Sequence, residues 1–187
     1  MKKTALITGI SGQDGAYLAQ FLLKKNYKVI GADRRSARDN KWRLRYLNIE
    51  NKIEIVNIDL TEITSLIRLF EKYNFDEVYN LAAQSFVGTS FVNPIITAQA
   101  TAIGALNILE VIRNLKKKPK FYQASSSEMY GKVENNYQNE TSKFNPQSPY
   151  AVSKVFAHQI TINYRNSYNM YAVSGILFNH ESPLRGE

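Results

Sequence analysis

The feature that most limits what this chain can fold into is a short apolar run, Thr4-Ala5-Leu6-Ile7-Thr8. It opens directly into Gly9-Ile10-Ser11-Gly12-Gln13-Asp14-Gly15 and then into a segment of helical period. Three glycines three residues apart, between a strand and a helix, call for backbone that turns tightly and stays bare of Cβ atoms. A helix that begins there aims its unpaired N–H groups at the turn, so an anion such as a pyrophosphate is the natural ligand. Glycine spacing alone also describes an ordinary tight turn. The strand before it and the helix after it make a dinucleotide site the expected reading.

The rest of the chain repeats that alternation. Apolar runs at Lys28 to Ala32, Ile53 to Ile58, Glu77 to Leu81, Phe121 to Ala124 and Ala172 to Phe178 mostly lack strict alternation, which predicts strands covered on both faces. Segments of helical period lie at Ala16 to Lys25, Ser65 to Tyr73, Pro94 to Leu115 and Tyr150 to Tyr168. The third is opened by Asn93-Pro94, a cap residue followed by proline in the first turn. A βαβα order without linker or repeat predicts one α/β domain over residues 1–187, built as a doubly wound parallel sheet between helices. The polar stretch Gly131 to Pro149 reads as a surface loop beside whatever the preceding strand end builds.

Composition narrows the chemistry. With 187 residues, 44% of them hydrophobic, and a net charge of +8, the chain has material for one core and too mild a charge imbalance for disorder. Cysteine is absent and only two histidines occur, so disulfide frameworks and thiolate zinc sites are excluded and no metal is expected. Lys2-Lys3 precede an apolar run that soon meets glycine, which predicts neither export signal nor membrane span, and a cytoplasmic chain. Residues 24–52 hold ten Lys and Arg against three acids, a segment that is either a phosphate-contacting surface or a solvated face. Basic and aromatic residues do not alternate as in a single-strand stacking platform, so nucleic acid is not an expected partner.

Beyond Gly15 the second candidate strand ends at Asp33, followed at once by Arg34, Arg35 and Ser36. An acid near that place would receive a ribose 2′-hydroxyl and favour NAD, whereas a guanidinium pair would grip a 2′-phosphate and favour NADP. The arginine pair makes NADP the expectation and NAD the alternative. Further on, Tyr150 and Lys154 stand four residues apart, on one face of a helix. With 12 Tyr and 15 Lys in 187 residues, about one such pair arises by chance, so the spacing needs its context. That context is the dinucleotide turn together with Ser125, Ser126, Ser127 and Glu128 at a strand end. There the phenol reads as a base. From an ordinary value near 10 it must fall by about three units to act at neutral pH, with Lys154 and a cationic nicotinamide as the sources.

In chain order, Gly9-x-x-Gly12-x-x-Gly15, Asn80-Leu81-Ala82-Ala83 and Tyr150-x-x-x-Lys154 resemble the motifs of the extended short-chain dehydrogenase/reductase family, whose dinucleotide domain is Rossmann-like. Gly12-Gln13-Asp14-Gly15, Arg34-Arg35-Ser36, Leu81 to Ser85, Ser125 to Gly131 and Phe178 to Glu187 resemble its GDP-mannose 4,6-dehydratase branch. The resemblance implies a catalytic set of Ser126, Glu128, Tyr150 and Lys154. It implies a cofactor site from Gly9, Ile10, Ser11, Gly12, Gln13, Asp14, Arg34, Arg35, Ser36, Asp59, Leu60, Leu81, Ala82, Ala83, Gln84, Ser85, Tyr150, Lys154, His180 and Arg185. Ser85, Ser126, Glu128 and Asn179 would face the substrate. The branch usually carries threonine where this chain has Ser126; the hydroxyl is kept.

The implied reaction is a hydro-lyase conversion of GDP-mannose to GDP-4-keto-6-deoxymannose. Tyr150 would take the 4-hydroxyl proton as hydride leaves C4, Glu128 would remove the acidified C5 proton and assist loss of water from C6, and hydride would return to C6. GDP-manno-heptose presents the same three carbons and is the alternative substrate. A nucleotide-sugar epimerase or reductase would keep Tyr150 and Lys154 without needing Glu128, and a non-catalytic dinucleotide module need not retain Ser126, Tyr150 and Lys154 together; a solvated strand-end acid is the lesser alternative for Glu128, since the serine cluster and its position before the loop favour the site. The resemblance also implies a smaller C-terminal substrate domain, largely absent here, so the sequence is expected to be a truncated piece. Apolar residues to spare at Ala102, Leu106, Leu109 and Ile112, and at Val155, Ile160 and Ile162, predict a homodimer built on these two helices, and the resemblance implies a second contact through the Arg34-Arg35-Ser36 loop that would make a homotetramer.

Overall fold

Parallel strands cannot be joined by hairpins, so each must be followed by a crossover, and the observed chain obeys this throughout. A computed structural model describes residues 2–133 and 137–186. Met1, Glu187 at the end of the Phe178 motif, and residues 134–136 of the polar loop lie outside the described residues. The strands are β1 (Thr4–Thr8), β2 (Lys28–Asp33), β3 (Glu54–Asn57), β4 (Glu77–Asn80), β5 (Lys120–Ser126) and β6 (Ala172–Leu177). They pair in parallel in the order β3-β2-β1-β4-β5-β6. The order reverses between β1 and β4, and the crevice outside the carboxyl ends of the strands at that reversal is where ligands bind in such sheets. This is the Rossmann-like, doubly wound fold expected from the sequence.

The helices are α1 (Gln13–Lys24), α2 (Trp42–Tyr46), α3 (Ile63–Lys72), α4 (Val87–Val92), α5 (Pro94–Ala98), α6 (Gly104–Arg113) and α7 (Pro149–Tyr168). A π-helical turn, Gln99–Ile103, joins α5 and α6 into one run. Period-2 geometry sends alternate strand residues to opposite layers. Leu6, Ile30, Val78 and Phe121 meet residues of α3, α6 and α7, while Ala5, Ile7 and Val29 meet those of α1 and α2.

The run Pro94–Arg113 is 20 residues long with a mean hydropathy of 1.6, enough to span a bilayer by composition alone. Half of it is buried, with Ile108, Leu109 and Ile112 fully enclosed by the sheet, α3 and α7, so its apolarity serves the core. This corrects the expected interface stripe. Leu109 and Ile112 face inward, and the surplus apolar surface is instead carried by Phe91, Val92 and Ile95 on α4 and α5 and by Val152 and Phe156 on α7.

Element ends fall within three residues of the sequence-based expectation, β1 matching at both ends, and one shift matters. Helix α1 begins at Gln13 rather than Ala16, which puts Gly15 inside its first turn. A Cβ on Gly15 would stand 2.4 Å from the Gly9 carbonyl oxygen and 2.8 Å from Ile10 Cα. The third glycine therefore serves close packing of the helix on the turn. Helices α2 and α4 and the 3-10 turns Glu50–Lys52 and Ser127–Met129 are too short to show helical period and escaped the sequence reading.

Candidate active site

The chain leaves β1 through Gly9, whose φ of +69° is open to glycine at little cost and strained for a β-carbon-bearing residue. A Cβ there would also sit 3.0 Å from the Ala82 backbone, which follows β4. Gly12 then caps α1 without a side chain, leaving the N–H groups of its first turn unclaimed by a capping group. At α7 and α3, by contrast, side chains close the helix start, Ser148 Oγ accepting from Ala151 N at 3.1 Å and Glu62 from Thr64 N and Ser65 N at 3.1 and 2.7 Å. A bare turn and an open helix N-terminus at the sheet's switch point suit a pyrophosphate.

Three contiguous hollows, of about 330, 500 and 490 Å³, run across this turn. The first holds Gln13, Asp14, Ser126, Tyr150, Lys154, Asn179, His180 and Arg185. The second holds Asp59, Leu60, Ala82 and Gln84, and shares Gly9, Gly12, Leu81, Ala83 and Ser85 with the first. The third holds Ile10, Arg35 and Ser36, and shares Ser11, Asp33 and Arg34 with the second. The structure thus brings the expected cofactor residues onto one groove. Glu128 does not line it. It stands exposed on the turn after β5, with its backbone N–H donating to Ser126 Oγ at 3.2 Å.

Lys154, only 4% exposed, donates from Nζ to the Ala124 carbonyl at 2.7 Å, and its ammonium lies 5.7 Å from the Tyr150 ring centroid. Burial lowers Lys154 from the ordinary lysine range to about 8, against a smaller upward pull from Asp14. Tyr150 departs from expectation. Burial holds its phenol above the ordinary value, the Ser126 hydroxyl opposes this, and the Glu128 charge adds to it. With the ammonium engaged on a carbonyl and the phenol out of water, desolvation outweighs the lowering expected from Lys154. Ser125, next in line, turns away to His158 on α7, with Oγ 2.9 Å from Nδ1.

The polypeptide after β6 folds over the start of α1. His180 places Nε2 2.6 Å from Asp14 Oδ1 and Nδ1 2.7 Å from the Phe178 carbonyl, so both ring nitrogens face acceptors, and Asp14 chiefly raises its pKa. Arg185 donates to the His180 carbonyl at 3.0 Å and to Glu181 at 2.5 Å. Leu184 is fully buried in the layer under α1 and α2. Arg43 pins it there, donating to the Leu184 carbonyl at 2.6 Å and to the Ser11 carbonyl in the phosphate turn at 3.2 Å. The basic segment therefore divides. Arg43 is structural, Arg45 pairs with Asp39 and Glu50, and Arg34, Arg35, Arg38 and Lys41 border the hollow beside Asp33. Asp33 itself accepts from Arg34 N and from Asn40 Nδ2, each at 3.0 Å.

The sequence profile of the family described as GDP-mannose 4,6 dehydratase matches residues 6–187. The chain belongs to the GDP-mannose 4,6 dehydratase family. It is 55% identical over 193 residues to the GDP-mannose 4,6-dehydratase of Vibrio cholerae serotype O1, a match covering 100% of this chain and 52% of the relative. The chain spans about half the length of the curated relatives it matches. Among solved structures, Pal from Bacillus thuringiensis has a TM-score of 0.89 at 26% identity, covering 98% of this chain and 58% of that one. UDP-glucose 4-epimerase from Thermus thermophilus, in complex with NAD, has a TM-score of 0.80 at 28% identity, covering 91% and 53%.

Sequence reasoning on this member of the family missed Gln123, Arg43 and the burial of Leu184. Thr8, Asn80 and Gln123 form a buried polar row across β1, β4 and β5, with Thr8 Oγ1 donating to Asn80 Oδ1 at 2.6 Å and Asn80 Nδ2 to Gln123 Oε1 at 2.8 Å. Period-2 alternation contained the signal, because the row shares a sheet face with Leu6, Val78 and Phe121, where an apolar residue is expected.

The buried Lys154 makes a stability prediction. Below pH 8 the lysine is charged in both folded and unfolded chains, and the folded chain bears the whole desolvation cost. As pH rises from about 8 toward 10.5 the folded chain alone releases the proton, so the cost fades. Lys154→Met should therefore stabilise the fold at pH 7 by on the order of 1–3 kcal/mol in urea unfolding, and the gap to the wild type should close above pH 8. A variant less stable than wild type at pH 7 contradicts the assignment.

Proposed function

We propose that this chain is the cofactor-binding half of an NADP-dependent GDP-mannose 4,6-dehydratase, a cytoplasmic hydro-lyase. The observation that carries the reading is an acid at the rim of the hollow that Ser126, Tyr150 and Lys154 share: Glu128 lies outside its lining, on the exposed turn directly after Ser126, with its backbone N–H on Ser126 Oγ. A simple oxidoreductase has no use for such a carboxylate, whereas elimination of water needs one group to take a proton from carbon and deliver one to the leaving hydroxyl.

The bound dinucleotide would supply the hydride acceptor and donor. The chain's residues do the rest. Gly9, Gly12 and the start of α1 hold the pyrophosphate, and Asp59, Leu60 and Leu81 to Ser85 line the way toward Ser126. Tyr150 accepts the proton of the sugar 4-hydroxyl, with Lys154 beneath its ring favouring the phenolate, and Ser126 orients that hydroxyl. Glu128 takes the C5 proton, acidified by the new C4 carbonyl, and passes it to the 6-hydroxyl, which departs as water. Loss of water leaves a C5=C6 double bond; once C6 has regained the hydride, the proton that Tyr150 took from the 4-hydroxyl would saturate C5, and the sugar leaves as a 4-keto-6-deoxy derivative. Gln84 supports the wall rather than the ligand, since its Oε1 accepts from Thr97 Oγ1 at 3.4 Å and its Nε2 donates to the Phe86 carbonyl at 3.2 Å.

Two features favour NADP over NAD. Arg34, Arg35 and Ser36 line a hollow beside Asp33, and the Asp33 carboxylate already has two donors, which leaves it poorly placed to take a ribose hydroxyl. The exposed Phe91, Val92, Ile95, Val152 and Phe156 on neighbouring helices support a homodimer through α4, α5 and α7. Titrating the full-length protein with NADP and NAD while following its sedimentation reads both. Arg34→Ala and Arg35→Ala should each lower the NADP/NAD affinity ratio, by about tenfold or more for charge-assisted bonds, on a dimeric protein. An unchanged ratio, or a monomer under every condition, contradicts the corresponding assignment.

Glu128→Gln separates the two half-reactions. In the full-length protein the amide cannot accept the C5 proton, so transient NADPH absorbance should still form from GDP-mannose while water loss falls by about 10²-fold or more. Near wild-type formation of the keto product by this variant removes Glu128 from the mechanism.

A further inference from the structure

Thr8, Asn80 and Gln123 are direct register partners on the last shared rungs of three adjacent strands, and each is 1% exposed. Buried amides carry a desolvation cost unless every group is paired, so a row of them on an otherwise apolar face calls for a reason. The row is polarised in one direction. Thr8 Oγ1 accepts from Ala82 N at 3.2 Å, which leaves its O–H to donate to Asn80 Oδ1. That turns Asn80 Nδ2 toward Gln123 Oε1, which in turn fixes Gln123 Nε2 on the Ala124 carbonyl at 3.0 Å. The Ala124 oxygen is also the acceptor of the Lys154 ammonium at 2.7 Å.

A carbonyl oxygen offers two acceptor directions, and a lysine reaches it with three rotatable donors on a flexible four-carbon stem. We propose that Gln123 is a positioning residue for Lys154: its amide occupies one lone pair of the Ala124 carbonyl and so confines the ammonium to the other, under the Tyr150 ring. The proposal rests on the reading of Lys154 as the partner of Tyr150. Asn80 Nδ2, donating to Gln123 Oε1, holds the Gln123 amide in the orientation that makes this possible, and Thr8 touches Asn80 without touching Gln123. Asp14 on α1 and Tyr150 one turn earlier on α7 are the titratable groups facing the ammonium, and the variants below leave both intact.

Gln123→Met keeps the volume and removes the amide; Gln123→Asn keeps an amide too short to reach Ala124 O and serves if the methionine variant does not fold. Thr8→Val is the control, because it breaks the same buried row two links upstream and leaves both bonds of Gln123. In the full-length protein labelled with 13Cε-lysine, one lysine should titrate near 8. Loss of the Gln123 amide frees the second lone pair to the ammonium, so that titration should move toward the ordinary lysine range in the Gln123 variants and stay in place in Thr8→Val. Turnover of GDP-mannose should fall about tenfold or more, as for a misplaced catalytic group, with NADP affinity retained. An unmoved titration in the Gln123 variants, or an equal shift in Thr8→Val, overturns the proposal. Failure of the dehydratase reading would silence the turnover measurement alone, and the titration would still decide.

Discussion

Holding the Lys154 ammonium out of water on the Ala124 carbonyl is costly, and the arrangement of β4, β5 and α7 makes sense as the means of bearing that cost. The carbonyl lies past the last β4–β5 rung, Asn80 opposite Gln123, where the sheet opens into the groove. Helix α7 brings Lys154 to it because Pro149 and the Ser148 cap start that helix so that Tyr150 and Lys154 share a face. A charge in this place is poorly solvated and strongly felt, which is the condition under which one ammonium can bias a neighbouring phenol once the groove is filled. The protein's own groups leave that phenol protonated, since burial and Glu128 both favour its neutral form.

The other end of the site depends on contact between distant segments. The phosphate turn is braced from below by the close fit of Gly15 on Gly9 and Ile10, and from the side by Arg43, which ties Ser11 to the segment after β6. Leu184 anchors that segment in the core, while His180 and Asp14 meet above α1. A single arginine thus links the residues that would hold the cofactor's phosphates to those that would close over them. The arrangement explains why a basic stretch that looks like a solvated face in the sequence has one of its guanidinium groups turned inward.

Much of this was legible in the sequence, for identifiable reasons. Apolar runs without alternation marked the parallel strands, and the glycines between strand and helix marked the switch point, because each of these is a local constraint. The groove residues followed from motifs. Gly15 was misplaced on the turn rather than in α1, since helix starts without a side-chain cap carry little signal. Leu109 and Ile112 were assigned to an interface when they belong to the core, because periodicity identifies an apolar stripe without saying what covers it. Gln123 and Arg43 stayed hidden because their partners, Ala124, Leu184 and Ser11, are contacts of the folded chain and leave no spacing to read.

The claim that joins fold, groove and acid together is that the full-length protein removes water from a GDP-sugar. Incubation with GDP-mannose and NADP, with GDP-manno-heptose in parallel, followed by the mass of the nucleotide sugar, tests it most directly. The account predicts a product from GDP-mannose lighter by one water, with no net accumulation of NADPH. A product of unchanged mass, a reduced sugar formed at the expense of NADPH, or water loss from the heptose alone would contradict it.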